Sequence, residues 1–281
     1  MISLEQIVEG VVSLPPTPRI LPKLQKLLRN PDSGIHDIIS LLKVDAPMTA
    51  QIVRLSNSAY YNTGDPVQSL EEAVNRLGFR EVYRVTNVAA AKQVMGEALP
   101  LYNMGKGELL ESSVSCAVLM VEIGSRARRV DLDGAYTLGL LHSIGKVIIN
   151  QYFLKHGLEL YGNASGDNVD IMWERKLIGF DHAEVGAAIL KKWNFPDEII
   201  VPVQYHLDPL KAKSMQTACC QLFISRSVST LLRPKDGVYK EVSKVPIPDA
   251  VFECAGIDSD KLLEAVDDAR AGLQEMETLF K

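Results

Sequence analysis

Apolar residues recur along most of this chain at the spacing of a helix rather than a strand. Leu21, Leu24, Leu27 and Leu28 form one stripe, which Asn30-Pro31 ends. Ser33 stands where it would cap the next helix, whose face is Ile35, Ile38, Ile39 and Leu42. Ile52, Val53 and Leu55 follow Asp45-Ala46-Pro47, and Leu70, Ala73, Val74 and Leu77 close on Gly78, a residue suited to a helix C-terminus. Glu81 to Met95 keeps the period. The Pro-, Asn- and Gly-containing stretch Pro100 to Gly107 is the best internal boundary. Beyond it, Leu109 to Ala127 reads as one long helix and Ala135 to Tyr152 as two pieces around Gly145. Gly162 to Asn168 reads as a polar loop. Asp181 is placed to cap a helix running to Trp193, Pro196 to open the next, and Ser214 to Leu232 forms a further buried helix. No stretch sustains period-two alternation and no repeat is visible. The pattern predicts an all-α fold.

The tail has its own character. Leu262, Val266, Ala269, Leu273, Met276 and Phe280 follow a 4-3-4-3-4 spacing, a heptad seam lasting fewer than three heptads. So short a seam predicts a helix docked on the body of the chain, with a homo-oligomer or partner interface as the alternative.

Composition narrows the function classes. The chain has 281 residues, is 47% hydrophobic and carries a formal charge of −5. That apolar content excludes disorder, and the acidic balance argues against a dedicated nucleic-acid binder. No uncharged apolar run approaches the roughly 18 residues of a membrane span. The first residues carry Glu5 and Glu9 without Lys or Arg, unlike a secretory leader. Cys116, Cys219, Cys220 and Cys254 lack CxxC spacing and read as small buried apolar residues. The expectation is a cytoplasmic, reduced protein. With five histidines in all, few residues are left to build a site.

The most informative string is Gly139-Leu140-Leu141-His142-Ser143-Ile144-Gly145-Lys146. It resembles the GLLHDIGK signature of the HD and HD-GYP metal-dependent phosphohydrolases, whose adjacent His and Asp both bind metal. Here the Asp is Ser143, and a neutral hydroxyl is a much weaker ligand than a carboxylate. The other ligand positions follow from the same resemblance. Ser112, in Ser112-Ser113-Val114-Ser115-Cys116-Ala117, stands where the pattern H-S-x-x-x-A has its His. Asp181-His182-Ala183-Glu184-Val185-Gly186, followed by Trp193-Asn194-Phe195-Pro196, matches D-H-A-E-V-G…W-x-x-P and keeps His182. The later His pair reads Tyr205-His206. The final Asp falls in the apolar stretch Cys220 to Ser227, with Ile224 the nearest equivalent. Three imidazoles therefore survive, and none of the 35 Asp and Glu stands at a ligand position. His36 and His156 match no ligand position.

The N-terminal half points to a narrower family. Leu14-Pro15-Pro16-Thr17-Pro18, then Asp45 through Arg54-Leu55-Ser56-Asn57-Ser58-Ala59-Tyr60-Tyr61, resembles the HDOD pattern LPxLP…DPxLTxxLLRLxNSAxY, with the Pro displaced to Pro47. Val67 to Gly78 resembles the family block I-x-S-I-x-x-A-I-x-x-L-G. The resemblance runs from about Leu14 to Leu232. It implies a multi-helix HD-like bundle: an N-terminal helical subdomain over 1–104, a core with a degenerate metal site over 105–232, and a C-terminal extension over 233–281. Asn57 and Ser58 are read as a structural corner rather than a ligand contact. Arg80, Arg84 and Lys92 form a modest basic face. Arg126, Arg128 and Arg129 raise a phosphate-binding possibility that nearby Asp131 and Asp133 would neutralise.

Two functions follow from the resemblance. The preferred one is a non-catalytic signalling module whose degenerate pocket, lined by Ser112, His142, Ser143, Lys146, His182, Tyr205 and His206, binds a protein partner or a small nucleotide-like ligand, with no cofactor. The alternative is a metal-dependent phosphohydrolase holding one divalent transition metal on His142, His182 and His206, with Lys146 helping to hold phosphate. The missing carboxylates separate them, since a metal would lack charge compensation and a general base.

Overall fold

A computed structural model of the chain describes residues 3–10, 20–30, 33–43, 46–57, 61, 64–127, 132–156, 167–233 and 241–280. Fifteen α-helices span them: α1 (Leu4–Gly10), α2 (Ile20–Arg29), α3 (Ile35–Leu42), α4 (Ala46–Ser56), α5 (Leu70–Leu77), α6 (Phe79–Met95), α7 (Glu108–Ala127), α8 (Leu132–Leu141), α9 (Ile144–Lys155), α10 (Asp167–Ile178), α11 (His182–Lys192), α12 (Asp197–Tyr205), α13 (Gln216–Ser229), α14 (Asp249–Ala255) and α15 (Ser259–Phe280). The fold is all-α. Among the described residues the only β-type pairing is an isolated bridge between Leu99 and Met104.

Local chemistry explains most boundaries and corrects some. α3 is preceded by Gly34 rather than capped by Ser33; the Gly34 N–H donates to Asp37 Oδ2 at 2.8 Å. Ser69 caps α5 by accepting the Glu72 N–H at 3.1 Å, and Gly78 ends it at φ +77°, a left-handed value that suits glycine. The break between α8 and α9 falls at His142-Ser143, not at Gly145, which lies in the first turn of α9. α10 and α14 had no counterpart in the periodicity, and Asp167-Asn168 begin α10 rather than ending a loop. Leu14 to Pro18, Ser58 to Tyr60, Arg128, Arg129 and the stretch 157–166 lie outside the described residues.

One hydrophobic cluster runs from Ile7 to Leu273. α7 and α8 form its centre, and they approach closely because a Cβ at Gly139 would overlap the Ala117 backbone. α11 packs on α9 and α12, and α13 packs on α7, α8 and α12. Across the two halves of the chain, the buried Tyr83 hydroxyl of α6 shares a 2.5 Å hydrogen bond with Thr137 of α8. The stretch Pro100 to Gly107 is anchored in the core as well. Its Leu101 N–H donates to Asn150 Oδ1 at 3.2 Å, and Tyr102 is buried.

Two further readings meet their structural outcome. Asn57 is a corner residue: its side chain donates to the Val67 carbonyl and accepts the Val67 N–H, both at 2.7 Å. In α15, Leu262, Ala265, Val266, Ala269 and Leu273 are buried and the helix lies on α7, so this part of the seam is used within the chain. Arg126 joins the same contact by bonding Glu122 of its own helix and Asp268 of α15. The side chains of Met276 and Phe280 are not among those described.

Candidate functional site

Three helix ends deliver three imidazoles to one place. His142 follows the last residue of α8, His182 is the first residue of α11, and His206 follows the last residue of α12. The His206 ring centroid lies 5.4 Å from that of His142 and 5.5 Å from that of His182. All three side chains are buried. Helix ends suit this task because the chain changes direction there, letting residues remote in sequence converge.

The approach of α9 to α11 depends on Gly145. A Cβ there would overlap the His182 carbonyl oxygen and sit 2.7 Å from the Gly186 nitrogen. The second glycine of the GLLHSIGK string is therefore a packing requirement of the site. α11 is itself firmly started. Asp181 accepts the Glu184 N–H at 2.9 Å, Glu184 accepts the Asp181 N–H at 2.9 Å, and the two form a capping box. Arg175 donates to Asp181 at 2.6 Å.

Each imidazole is fixed through its Nδ1. His142 Nδ1 lies 2.7 Å from the Gly139 carbonyl and His206 Nδ1 lies 2.6 Å from the Val203 carbonyl. A carbonyl oxygen only accepts, so both Nδ1 atoms carry the proton and both Nε2 atoms are lone pairs. The His206 Nε2 is buried without a hydrogen-bond partner. Burial, the foremost cause, holds both imidazoles neutral. His142 is lowered to about 3, and His206 falls well below its ordinary range with the neighbouring histidines adding to the effect.

His182 is held differently, by a residue the sequence reading passed over. Glu174 of α10 is fully buried. It accepts the His182 backbone N–H at 2.8 Å, the His182 Nδ1–H at 2.9 Å and the Tyr102 hydroxyl at 2.7 Å. Burial opposes the charge of this carboxyl, but the attraction of His182 and these hydrogen bonds outweigh it, so the group titrates below its usual range. A signal was present. Ile171, Glu174 and Ile178 have 3-4 spacing, which puts the carboxylate on the inward face of a helix.

The other expected site residues are placed as follows. Ser143 is buried and precedes α9, with no side-chain cap bond. Lys146 is buried in the first turn of α9, its Nζ 5.1 Å from the Tyr102 ring centroid. Ser112 on α7 and Tyr205 on α12 are half-buried. Ile224 of α13 is buried, as is the neighbouring Ser225, whose hydroxyl has no hydrogen-bond partner. Buried Cys116 and Cys220 behave as expected, and burial pushes the Cys219 thiol up to about 12. Cys254 departs from the expectation in being only partly buried.

Three imidazoles converge, with Ser143 where the HD pattern has a carboxylate, while Glu174 accepts from Nδ1 of His182. Among the described residues, no three His, Cys, Asp or Glu side chains stand in an arrangement that would hold a metal ion.

An all-helical bundle with HD-type histidines at its helix ends defines the class of this protein. The model of the HDOD domain matches residues 14–209, and the chain belongs to that family. An uncharacterised protein of Treponema pallidum (strain Nichols) is 25% identical over 205 residues, covering 71% of this chain and 39% of its own length. This chain thus spans well under half of that curated relative. A crystal structure of a Geobacter sulfurreducens HDOD domain protein of unknown function superposes with a TM-score of 0.68 at 23% identity, covering 98% of this chain and 96% of that one. A Marinobacter aquaeolei VT8 protein provisionally named for signal transduction gives 0.72 at 22% identity, over 99% of this chain and 60% of that one. A Shewanella amazonensis SB2B protein provisionally named a phosphohydrolase gives 0.66 at 22% identity, over 98% and 97%. At these identities the structures speak for the fold alone.

Proposed function

We propose that this chain is a non-catalytic regulatory module that binds a protein partner or a small nucleotide-like ligand at its histidine pocket. One observation carries the reading. The pocket keeps three HD-type imidazoles but has Ser143 where the HD pattern needs a carboxylate, and Glu174, a carboxylate buried at the site, is engaged by His182 and Tyr102. Without a carboxylate at position 143 the site lacks the charge compensation and the bridging oxygens of the HD ligand set. Lys146, buried with its Nζ over the Tyr102 ring, is the residue suited to an anionic ligand group. Among the described residues no helix is long and apolar enough to cross a membrane, and a cytoplasmic location agrees with the reduced cysteines.

The test is hydrolysis by the full chain of cyclic dinucleotides and of bis(p-nitrophenyl) phosphate, with Mn²⁺ or Zn²⁺ added. No turnover above buffer is expected. Metal-dependent turnover that disappears in His142→Ala would establish the phosphohydrolase instead. A nucleotide thermal-shift series on the same protein should find a saturable stabiliser whose effect weakens in Lys146→Ala.

A further inference from the structure

Two buried contacts tie α6 to the histidine pocket. In the middle of the helix, the Tyr83 hydroxyl shares its 2.5 Å hydrogen bond with Thr137 of α8, the helix that delivers His142. At its C-terminal end the chain enters the turn 96–107, which is a closed unit. Leu99 and Met104 exchange backbone hydrogen bonds of 2.9 and 3.1 Å, and the Gly107 N–H donates to the Gly96 carbonyl at 3.0 Å. Asn103 completes the turn at φ +53°, a left-handed value that asparagine tolerates better than most residues.

The tip of this turn is seated in the core beside the pocket. Leu101 donates its N–H to Asn150 of α9, and Tyr102 donates its hydroxyl to Glu174 of α10 at 2.7 Å. The Tyr102 ring lies 5.3 Å from that of Trp173, with Lys146 Nζ over it. Glu174 passes the contact on, accepting both the backbone N–H and the Nδ1–H of His182. Leu101, Tyr102, Asn150, Glu174 and His182 are all buried. A buried donor or acceptor that loses its partner costs its full desolvation, so these groups move as a set. On its other contacts α6 packs against α2, α4 and α5 of the N-terminal half. One helix is thereby fastened both to that half and, at two points, to elements that carry the imidazoles.

We propose that α6 and the turn 96–107 form a coupling element between the N-terminal half and the histidine pocket, with Tyr102 as its positioning residue. An occupant of the pocket that displaces His182 draws Tyr102 through Glu174, and with it the end of α6. Displacement of α6 acts on His182 by the same route, since coupling between two sites is reciprocal. This deepens the regulatory reading by naming how occupancy is passed on, and it rests on that reading for the existence of an occupant.

The experiment is native-state amide hydrogen exchange on the full chain, comparing the wild type with Tyr102→Phe, His182→Phe and His206→Phe. His206 is the control, because its Nδ1 bonds the Val203 carbonyl of its own helix end rather than Glu174. Rates at Leu99, Leu101 and Met104 are taken relative to the α7 amides, which report global stability. His182→Phe and Tyr102→Phe are expected to speed exchange in the turn by about tenfold or more, whereas His206→Phe changes it by about twofold or less. Equal acceleration by the two histidine variants overturns the proposal, as does an unchanged turn in His182→Phe. Should His182→Phe fail to fold, Tyr102→Phe decides from the other end. A shift of the His182 ring nitrogen resonances in that variant supports the coupling, and unmoved resonances overturn it. Metal-dependent hydrolysis by a protein whose turn responds to His182 defeats the regulatory reading and spares the coupling. A protein without turnover whose turn ignores His182 does the reverse.

Discussion

Glu174 and His182 form a buried pair in which one carboxylate grips both the backbone N–H and the ring of a histidine eight residues later in the chain. The same carboxylate takes the Tyr102 hydroxyl at 2.7 Å, so one side chain ties the turn at 100–102 to α10 and α11. His182 keeps its tautomer because Glu174 accepts from Nδ1.

Replacing Glu174 by Gln removes the charge and leaves three donors competing for one acceptor oxygen. A loss of about 1.5–3 kcal/mol is expected from urea unfolding, the scale of a hydrogen bond to a charged group. The carboxyl titrates low in the fold, so its stabilisation is present above the unfolded carboxyl's range and is lost as pH falls through the folded value. The acid limb of the stability curve should therefore be shallower in Glu174→Gln. An unchanged limb would show that Glu174 is not ionised in the fold.

His142 and His206 act on a different pH window. Both are lowered by burial, so the folded protein resists protons that the unfolded chain accepts below about 6.5. Stability is complete above that value and declines as pH falls from there toward about 3, where His142 itself titrates. The slope reaches up to about 1.4 kcal/mol per pH unit for each such histidine. Denaturant midpoints between pH 7 and 4.5 should show it, and His142→Gln should flatten the curve.

Gly145→Ala forces a methyl group into the His182 carbonyl. Since the obstacle is backbone, α9 and α11 must separate, at a cost of about 1–3 kcal/mol or more. Histidine ring resonances of His142 and His182 should move in the variant. Unperturbed rings with native stability would contradict the close approach of the two helices.

The C-terminal helix should owe its docking to its apolar face. Leu262→Ala is expected to cost about 2–5 kcal/mol, because Leu262 is fully covered. Arg126→Ala should cost about 1 kcal/mol or less, because Asp268 is mostly exposed and water screens the pair. Thermal unfolding of the two variants side by side checks the order, and the reverse ranking would mean that ion pairs hold α15 in place.

The sequence by itself determined the helical class, most helix positions and the family. Those properties are local: apolar spacing, a cap such as Asp181 and a stop such as Gly78 act within a turn or two. It also named the three surviving histidines, because their motifs are short and contiguous. What only the tertiary structure decided is how those residues relate across the bundle. Glu174 shares a 3-4 stripe with Ile171 and Ile178, but its role depends on α10 folding back onto the start of α11. Gly139 and Gly145 matter because other helices pass over them, which no spacing along one helix reveals. The heptad of α15 was compatible with a partner or with the chain itself, and α7 supplied the surface that covers it over Leu262 to Leu273. The site follows the same division. The sequence shows Ser143 in place of a carboxylate, while the convergence of His142, His182 and His206 exists only because the ends of α8, α11 and α12 meet in the fold.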